Sequence, residues 1–203
     1  MSHIKSILVA AGFALAALTP SAAFAEANSS IIILDYERVL GTSVAGHDVE
    51  SKLRNIATQM QTELNPEQTA IQTEAQSLQT ATQGQSPDQI QRNSALNSRI
   101  TAFNTRAETF RNHQITRQRD LEYTRQQALA EFNRQLQPIV TEVMNARHAQ
   151  VVLDRGAVQM AAPSLDATAD VVSRLDQRVR TVNVTRQTAP APQQQPAAPA
   201  ANH

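Results

Sequence analysis

A stripe of apolar residues with helical spacing begins near His47. On either side of one interruption its members are three or four residues apart, which places them on one face of a helix. The stripe consists of Val49, Leu53, Ile56, Met60, Ile71, Ala75 and Leu78. Asn65 and Pro66 interrupt it. Because asparagine caps helices and proline suits a first turn, the sequence predicts a kink there rather than an end.

Residues 83–87, Gln-Gly-Gln-Ser-Pro, form the sharpest turn signal in the chain. Ser86 suits an N-cap and Pro87 suits the first helical position. Gln89 lies three residues after Ser86, as a capping box requires. The first helix is therefore predicted to end here and a second to begin.

The second helix carries an apolar stripe of its own. Its first part has alternating spacings of four and three residues, which are typical of a heptad seam: Leu96, Ile100, Phe103, Ala107 and Phe110. Gln114 and Arg117 take the next seam positions. Apolar residues then resume the pattern: Leu121, Ala128, Leu129, Phe132 and Leu136. The helix is predicted to run to about residue 137, with a kink at Pro138 before residues 139–147.

Two long helices joined by a tight turn lie antiparallel, so residues 47–137 are predicted to form a helical hairpin arm with its tip near 83–87. At about 1.5 Å per residue the arm reaches roughly 55 Å, which is long enough to project from a small body. The first helix is acidic overall and the second is basic. Two interpretations stay open: attraction between the helices, or two solvated faces of unequal charge.

Short runs rich in β-branched residues flank the predicted arm. The elements predicted there are a strand at 31–34, a helical turn at 36–40, a loop at 41–46, strands at 151–153 and 157–162, and a helix that begins near Asp166. The first strand finds partners only if the arm leaves a small body and returns to it. Such a small core favours oligomerisation. The residues expected to mediate it are Ile31, Ile32, Ile33, Leu34, Val151, Val152 and Leu153.

The two ends of the chain differ from the middle. Lys5, the apolar run 7–18 and Ala-Phe-Ala at 23–25 predict a secretory signal peptide. The Pro, Ala and Gln-rich end predicts a disordered tail. The predicted organisation is a signal peptide, the first part of the body, the arm, the second part of the body and the tail: 1–25, 26–46, 47–137, 138–181 and 182–203.

Composition excludes several kinds of chemistry. The chain has no cysteine, so disulfides and thiolate sites are absent. Its formal net charge of zero gives no case for nucleic acid as a partner. The histidines after the leader form no metal motif, and no cofactor or catalytic motif is present. Asp35 and Asp154 each follow an apolar strand. They suit turn formation, or pairing with Arg38 or Arg155, better than acid–base catalysis.

The run 31–40, Ile-Ile-Ile-Leu-Asp-Tyr-Glu-Arg-Val-Leu, with Ala45 and Gly46 after it, resembles the opening of the Skp, or OmpH-like, periplasmic chaperones. The run 151–154, Val-Val-Leu-Asp, with Val158 and the segment 166–175, is similar to the close of that family. Pro138 in the returning helix is also similar to many members. The resemblance covers residues 30–179, with a hairpin of suitable length between the two matching ends.

The resemblance implies a mainly α fold with a small β body (α+β), shaped like a jellyfish. The β-rich body trimerises, and three helical tentacles enclose a cavity that holds unfolded outer-membrane proteins in the periplasm. Such a chaperone is not an enzyme, uses no ATP and needs no cofactor. The better-known members are strongly basic, whereas this chain is neutral, so its charge gives no support for contact with a membrane surface. The alternative is an envelope coiled-coil scaffold or adaptor with one fixed protein partner.

Four aromatic residues lie on the predicted returning helix: Phe103, Phe110, Tyr123 and Phe132. They are candidate client contacts, or else seam residues that face the first helix of the arm. Phe103 and Phe110 occupy heptad positions, which favours the seam. Tyr123 lies off the stripe and is the better candidate for client contact.

Overall fold

A computed structural model describes residues 30–191 of the chain. The predicted signal peptide and residues 192–203 of the predicted tail lie outside this part. The helices and strands are β1 (Ser30–Leu34), α1 (Tyr36–Thr42), α2 (Val44–Thr82), α3 (Pro87–Arg92), α4 (Ser94–Ala146), β2 (Ala149–Asp154) and α5 (Thr168–Arg178). Two short 3-10 turns, Arg155–Ala157 and Pro163–Leu165, separate β2 from α5.

The predicted long helical hairpin is present. Helices α2 and α4 pack against each other along the arm, and the chain reverses at Gly84 with a φ of 77°. Ser86 and Gln89 form the capping box, with the Ser86 N–H donating to Gln89 Oε1 at 2.8 Å. Glycine suits this position because other residues rarely adopt a positive φ.

Two local features of the arm differ from the prediction: helix α2 starts at Val44 rather than near His47, and the second helix is divided. Helix α2 continues through Pro66, as the sequence predicted, and α4 continues through Pro138. A proline removes one hydrogen bond, which the neighbouring turns can tolerate. The second helix is divided at Asn93, whose Oδ1 accepts from the Leu96 N–H at 3.1 Å and caps α4.

The predicted loop at 41–46 is wrong. Helix α1 continues to Thr42, and Ser43 alone separates it from α2. The Ser43 hydroxyl accepts from the Gly46 N–H at 3.0 Å, so this serine acts as an N-cap. The cap allows the chain to turn without a longer connection.

The two ends of the sequence share one sheet, as the sequence predicted. β1 pairs with β2 in parallel, with Ile31 opposite Val151 and Ile33 opposite Leu153. The predicted third strand at 157–162 is wrong. Asp154 Oδ1 accepts from the Gly156 N–H at 2.7 Å and turns the chain away from the sheet.

The other edge of β1 is partly covered by the segment before α5. Ile33 forms a single bridge with Asp166, and its carbonyl accepts from the Ala167 N–H at 2.9 Å. Residues 157–162 therefore find no free position beside β1 along this stretch, and the turn at Gly156 directs them away from the open edge of β2.

The core lies where the base of the arm meets α1, α5 and the sheet. Phe132 is fully buried at its centre, and its ring lies edge-on to Tyr36 with centroids 6.2 Å apart. Ile32 and Leu34 from β1 belong to the same cluster, together with Val171 and Leu175 from α5. The body is thus assembled from residues that precede the arm, belong to its base and follow it.

The first part of the predicted disordered tail is ordered. Val182 is fully buried and belongs to the core cluster, and the chain stays against the arm as far as Ala189. The composition of the last residues misled the prediction, because the tail begins with valines that pack. Its backbone also finds hydrogen-bond partners on the arm.

Candidate functional site

The two faces of the sheet have different environments. Ile32, Leu34 and Val152 face the helices and pack in or against the core. Side chains alternate along a strand, so Ile31 and Ile33 share the opposite face with Val151 and Leu153. Val151 is 41% exposed and Leu153 is 38% exposed. Because parallel sheets are normally covered on both faces, this apolar face is a candidate interface.

The outer edge of β2 adds to that surface. Within residues 30–191, β2 pairs only with β1, so its other edge presents backbone donors and acceptors without a strand partner. An edge of this kind is a template for pairing with another chain. Edge and exposed face together form a surface suited to contact between copies of the chain.

The seven residues expected to mediate oligomerisation therefore fall into two groups. Ile32, Ile33 and Leu34 are buried within the chain itself. The others retain exposed surface: Ile31, Val151, Val152 and Leu153. Of the second group, Val151 and Leu153 lie on the exposed face and remain candidates for contact between copies, whereas Val152 packs against the chain's own core.

The four aromatic candidates on α4 also separate. Phe132 is fully buried in the core, so it offers no surface to another chain and its candidacy as a client contact is wrong. Its partners include Tyr36 and residues of β1 and α5, which a periodicity argument within α4 could not reveal. Phe103, Phe110 and Tyr123 are each partly buried and keep an accessible portion.

Ile115 is a surface residue that sequence reasoning missed. It is 58% exposed in the middle of the arm. The available signal was its position off the heptad stripe of α4. A β-branched apolar side chain there has no seam to enter, so it remains available for contact.

The opposite charges of the arm helices pair as attraction predicted. Two cross-arm ion pairs have the acid on α2 and the base on α4: Glu74 with Arg99 and Glu63 with Arg117, at 2.9 and 3.3 Å. His113 Nδ1 lies 3.0 Å from Glu67 Oε2 between the same helices. Hydrogen bonding by Arg186, with further attraction from Arg117, holds the pKa of Glu63 below its ordinary value. Such exposed pairs are weak individually but fix the register of the two helices.

An apolar cleft of about 460 Å³ opens at the base of the arm. Its walls come from α1, α2 and α4 and include Leu40, Leu53, Leu121 and Leu129. Glu50 and Arg125 lie at the same cleft and supply charge. The cleft could not be predicted from periodicity, because it depends on how α1 folds back beside the arm.

Acidic side chains elsewhere have structural partners. Asp35 Oδ1 accepts from the Arg38 N–H at 2.9 Å and caps α1, and Asp154 forms the turn at Gly156. The prediction that these two aspartates form turns is confirmed. Among residues 30–191, no three His, Cys, Asp or Glu side chains are grouped as a metal site. None of the helices in that range combines the length and apolar character that a membrane crossing needs.

These features define a class of mainly helical proteins in which a long hairpin projects from a small body and carries apolar contact surfaces. The family model described as "Outer membrane protein (OmpH-like)" matches residues 30–175. The chain therefore belongs to the OmpH-like family.

A solved relative has the same architecture. The crystal structure of an OmpH-like outer membrane chaperone from Caulobacter crescentus CB15 is 30% identical in sequence and superposes with a TM-score of 0.67. The match covers 79% of this chain and 91% of the relative. No curated protein sequence matches this chain.

Proposed function

We propose that this protein is an ATP-independent holdase chaperone of the periplasm, which keeps unfolded outer-membrane proteins from aggregating. Membership of the OmpH-like family and likeness to a solved outer membrane chaperone support a chaperone-type function. The observation that carries the proposal is a projecting arm with spaced, partly exposed apolar side chains. Such a surface suits shallow contacts with many different chains better than one deep pocket does.

Three copies of the chain assemble through the sheet in this proposal. Val151 and Leu153 lie on the exposed sheet face, next to the open edge of β2. A neighbouring copy would cover that apolar face and satisfy the edge. Assembly would hold three arms around one space, because each arm leaves its body at the same place.

The arms hold a client through repeated weak contacts. Phe103, Phe110, Ile115 and Tyr123 are spread along α4 and retain accessible apolar surface. One such contact is weak and quickly released. Contacts from several arms raise the effective concentration of the remaining sites, so the client stays bound without a deep pocket or a nucleotide.

The test is an aggregation assay with a denatured outer-membrane β-barrel protein. When the barrel protein is diluted out of urea, we expect this protein to suppress light scattering at about one trimer per client. A variant with both Phe103→Ala and Ile115→Ala should suppress it less, because it loses apolar contacts on the arm. Unchanged helical circular dichroism would show that the variant still folds.

A second experiment addresses selectivity. Several unrelated unfolded barrel proteins should be held with similar efficiency, because the contacts are shallow and repeated. A protein that leaves all of them to aggregate would contradict the holdase proposal and favour a scaffold with one fixed partner.

A further inference from the structure

Residues 180–191, which we call the strap, leave α5 and lie in extended form along the base of the arm. The strap begins beside Lys52 on α2 and reaches Asp120 on α4. Within the strap, Val182 is fully buried and Ala189 is 9% exposed. Both anchoring side chains are small and apolar.

The arm binds the strap mainly through the strap's backbone. The Val182 N–H donates to Asp48 Oδ2 at 2.9 Å, and the Val182 carbonyl accepts from Lys52 Nζ at 2.7 Å. Farther along, Thr124 Oγ1 accepts from the Gln187 N–H at 3.0 Å, and Asp120 Oδ1 accepts from the Ala189 N–H at 2.9 Å. Every chain carries these backbone groups, so the contacts recognise an extended conformation rather than a sequence.

Two polar side chains of the arm that bind the strap are buried. Asp120 is 2% exposed and Thr124 is fully buried, although buried helix residues are usually apolar. The Thr124 hydroxyl donates to the Asp120 carbonyl at 2.7 Å, which leaves its oxygen able to accept from the Gln187 N–H. Buried acceptors of this kind require a donor, and the strap supplies one to each.

Two strap side chains also bind the arm. Arg186 reaches Glu63 at 2.7 Å, and Thr181 Oγ1 accepts from Lys52 Nζ at 2.9 Å. Val184 packs against the core, whereas Asn183, Thr185 and Thr188 are exposed. The groove therefore favours an extended backbone with apolar residues at positions 182, 184 and 189, and tolerates variety between them.

We propose that this groove is a binding site for extended segments of unfolded client chains, and that the strap occupies it until a client displaces it. The inference rests on the proposed holdase function. Transmembrane β-strands alternate apolar and polar residues, so an unfolded barrel protein offers many segments of the required kind. Because the strap is tethered, it competes at high effective concentration. A client already held by the arms also has a high effective concentration near the groove and can displace the strap. A free short peptide lacks this advantage.

A reversible lock tests the displacement. Thr124 Oγ1 accepts from the Gln187 N–H at 3.0 Å, so the two residues are direct neighbours and the pair Thr124→Cys, Gln187→Cys is the place to introduce a disulfide. The natural chain has no cysteine, so this would be the only disulfide and the unmodified protein controls for the redox reagents. We expect the oxidised form to bind an unfolded outer-membrane β-barrel protein more weakly than the reduced form, by about fivefold or more.

A release variant tests the same idea without a disulfide. Val182→Asp places a charge where the side chain is buried and should free the strap from the groove. This variant should bind the unfolded barrel protein more tightly. It should also bind a labelled peptide of residues 180–191 added separately. The control Gln177→Glu adds a charge to the exposed face of α5 and should behave like the natural chain.

The outcomes separate this inference from the proposed function. Equal client binding by the oxidised and reduced forms, with the disulfide confirmed by mass, would overturn the inference, as would a Val182→Asp protein that stays folded but binds no better. If the disulfide does not form, the comparison of Val182→Asp with Gln177→Glu decides alone. If no form binds the unfolded barrel protein, the holdase proposal fails, and peptide binding to Val182→Asp still decides whether the groove accepts an extended chain.

Discussion

Gly46 marks the closest approach between the first two helices. A side-chain carbon placed there would lie 1.8 Å from the Leu40 carbonyl oxygen and 2.7 Å from its carbon, both of which are backbone atoms. Gly41 in α1 has open space at the same position. The requirement for glycine therefore comes from packing at Gly46 and is absent at Gly41.

We expect Gly46→Ala to lower the free energy of unfolding by at least about 2 kcal/mol, because backbone must move to admit the methyl group. Gly41→Ala is the matched control. It should raise the free energy of unfolding by up to about 1 kcal/mol, since alanine is the better helix former. Urea denaturation of both variants measures the difference. Similar values for the two would show that α1 and α2 do not approach this closely.

The carboxylate of Asp48 makes docking of the strap depend on pH. Burial alone raises the pKa of Asp48, but hydrogen bonds from Lys52 and from the Val182 N–H lower it by more, so the net pKa lies below its ordinary value of 3.8. Lys52 lies on the same helix as Asp48, whereas the Val182 N–H belongs to the strap, so the part of the lowering that comes from Val182 means that docking favours the charged form. This contribution to docking is fully present at a pH above the ordinary pKa of 3.8. It is lost as the pH falls through the lowered pKa of the docked state.

We expect the strap to dock less firmly as the pH falls below about 4. A fluorophore on the exposed Thr188 and a quencher on the arm would report this as a rise in emission. In Asp48→Asn the emission should already be higher at neutral pH, and the rise at low pH should be smaller. If Asp48→Asn showed the same increase in emission at low pH as the natural chain, the pH dependence would come from other acids such as Glu63.

At the scale of elements, α4 serves two purposes along its length. Its base supplies Phe132, Leu136 and Ile139 to the core of the body. Farther out it carries Phe103 and Phe110, which are only partly buried. Residues of the same chemical type thus stabilise the fold at one end and remain accessible at the other.

We expect Phe132→Ala to lower the free energy of unfolding by about 3–5 kcal/mol, because it leaves a cavity at the centre of the core. Phe103→Ala should cost only about 1 kcal/mol, since its site is partly open. Thermal unfolding measures both. If the arm aromatics contact clients, Phe103→Ala should also weaken client capture at temperatures where it remains folded.

Periodicity made some elements predictable and left others hidden. The hairpin and its turn follow from local signals: the heptad spacing, Gly84 and the capping box at Ser86. The third strand was wrong because Asp154 turns the chain away from the sheet at Gly156, while Ala167 takes part of the free edge of β1. Among the site residues, apolar character was readable from the sequence. Exposure was not, because Phe132 is buried in a core assembled from residues distant in the chain, with Tyr36 packed beside it.

The strap shows a different limit of sequence reasoning. Asp120 and Thr124 look like ordinary polar residues of a helix, and the segment that they bind is rich in polar and small residues. Neither has a pattern that predicts pairing with the other. Their complementarity exists only after folding brings the end of the chain back along the arm.

At the scale of the whole molecule, the exposed sheet face determines the expected assembly. We predict that the natural chain sediments as a trimer and that the double variant Val151→Asp, Leu153→Asp sediments as a monomer. Charges on a face that becomes buried between copies are costly to desolvate. Met160→Asp is the control, because Met160 is 90% exposed and belongs to neither strand.

Two outcomes would contradict the assembly. A natural chain that sediments as a monomer at micromolar concentration would remove the enclosed space on which the holdase proposal depends. A double variant that still forms trimers would show that the copies meet elsewhere. Substituting Ile32 would be uninformative, because it lies in the chain's own core and its loss would destabilise the body itself.

The middle of the arm has almost no buried residues. On α4 none is fully buried between Leu96 and Asp120, and on α2 none between Leu64 and Leu78. Local opening of this stretch therefore exposes little apolar surface and should occur far more often than opening of the body. We therefore expect the middle of the arm to bend or separate while the sheet and its surrounding helices keep their shape, so a cavity enclosed by such arms would have no fixed volume.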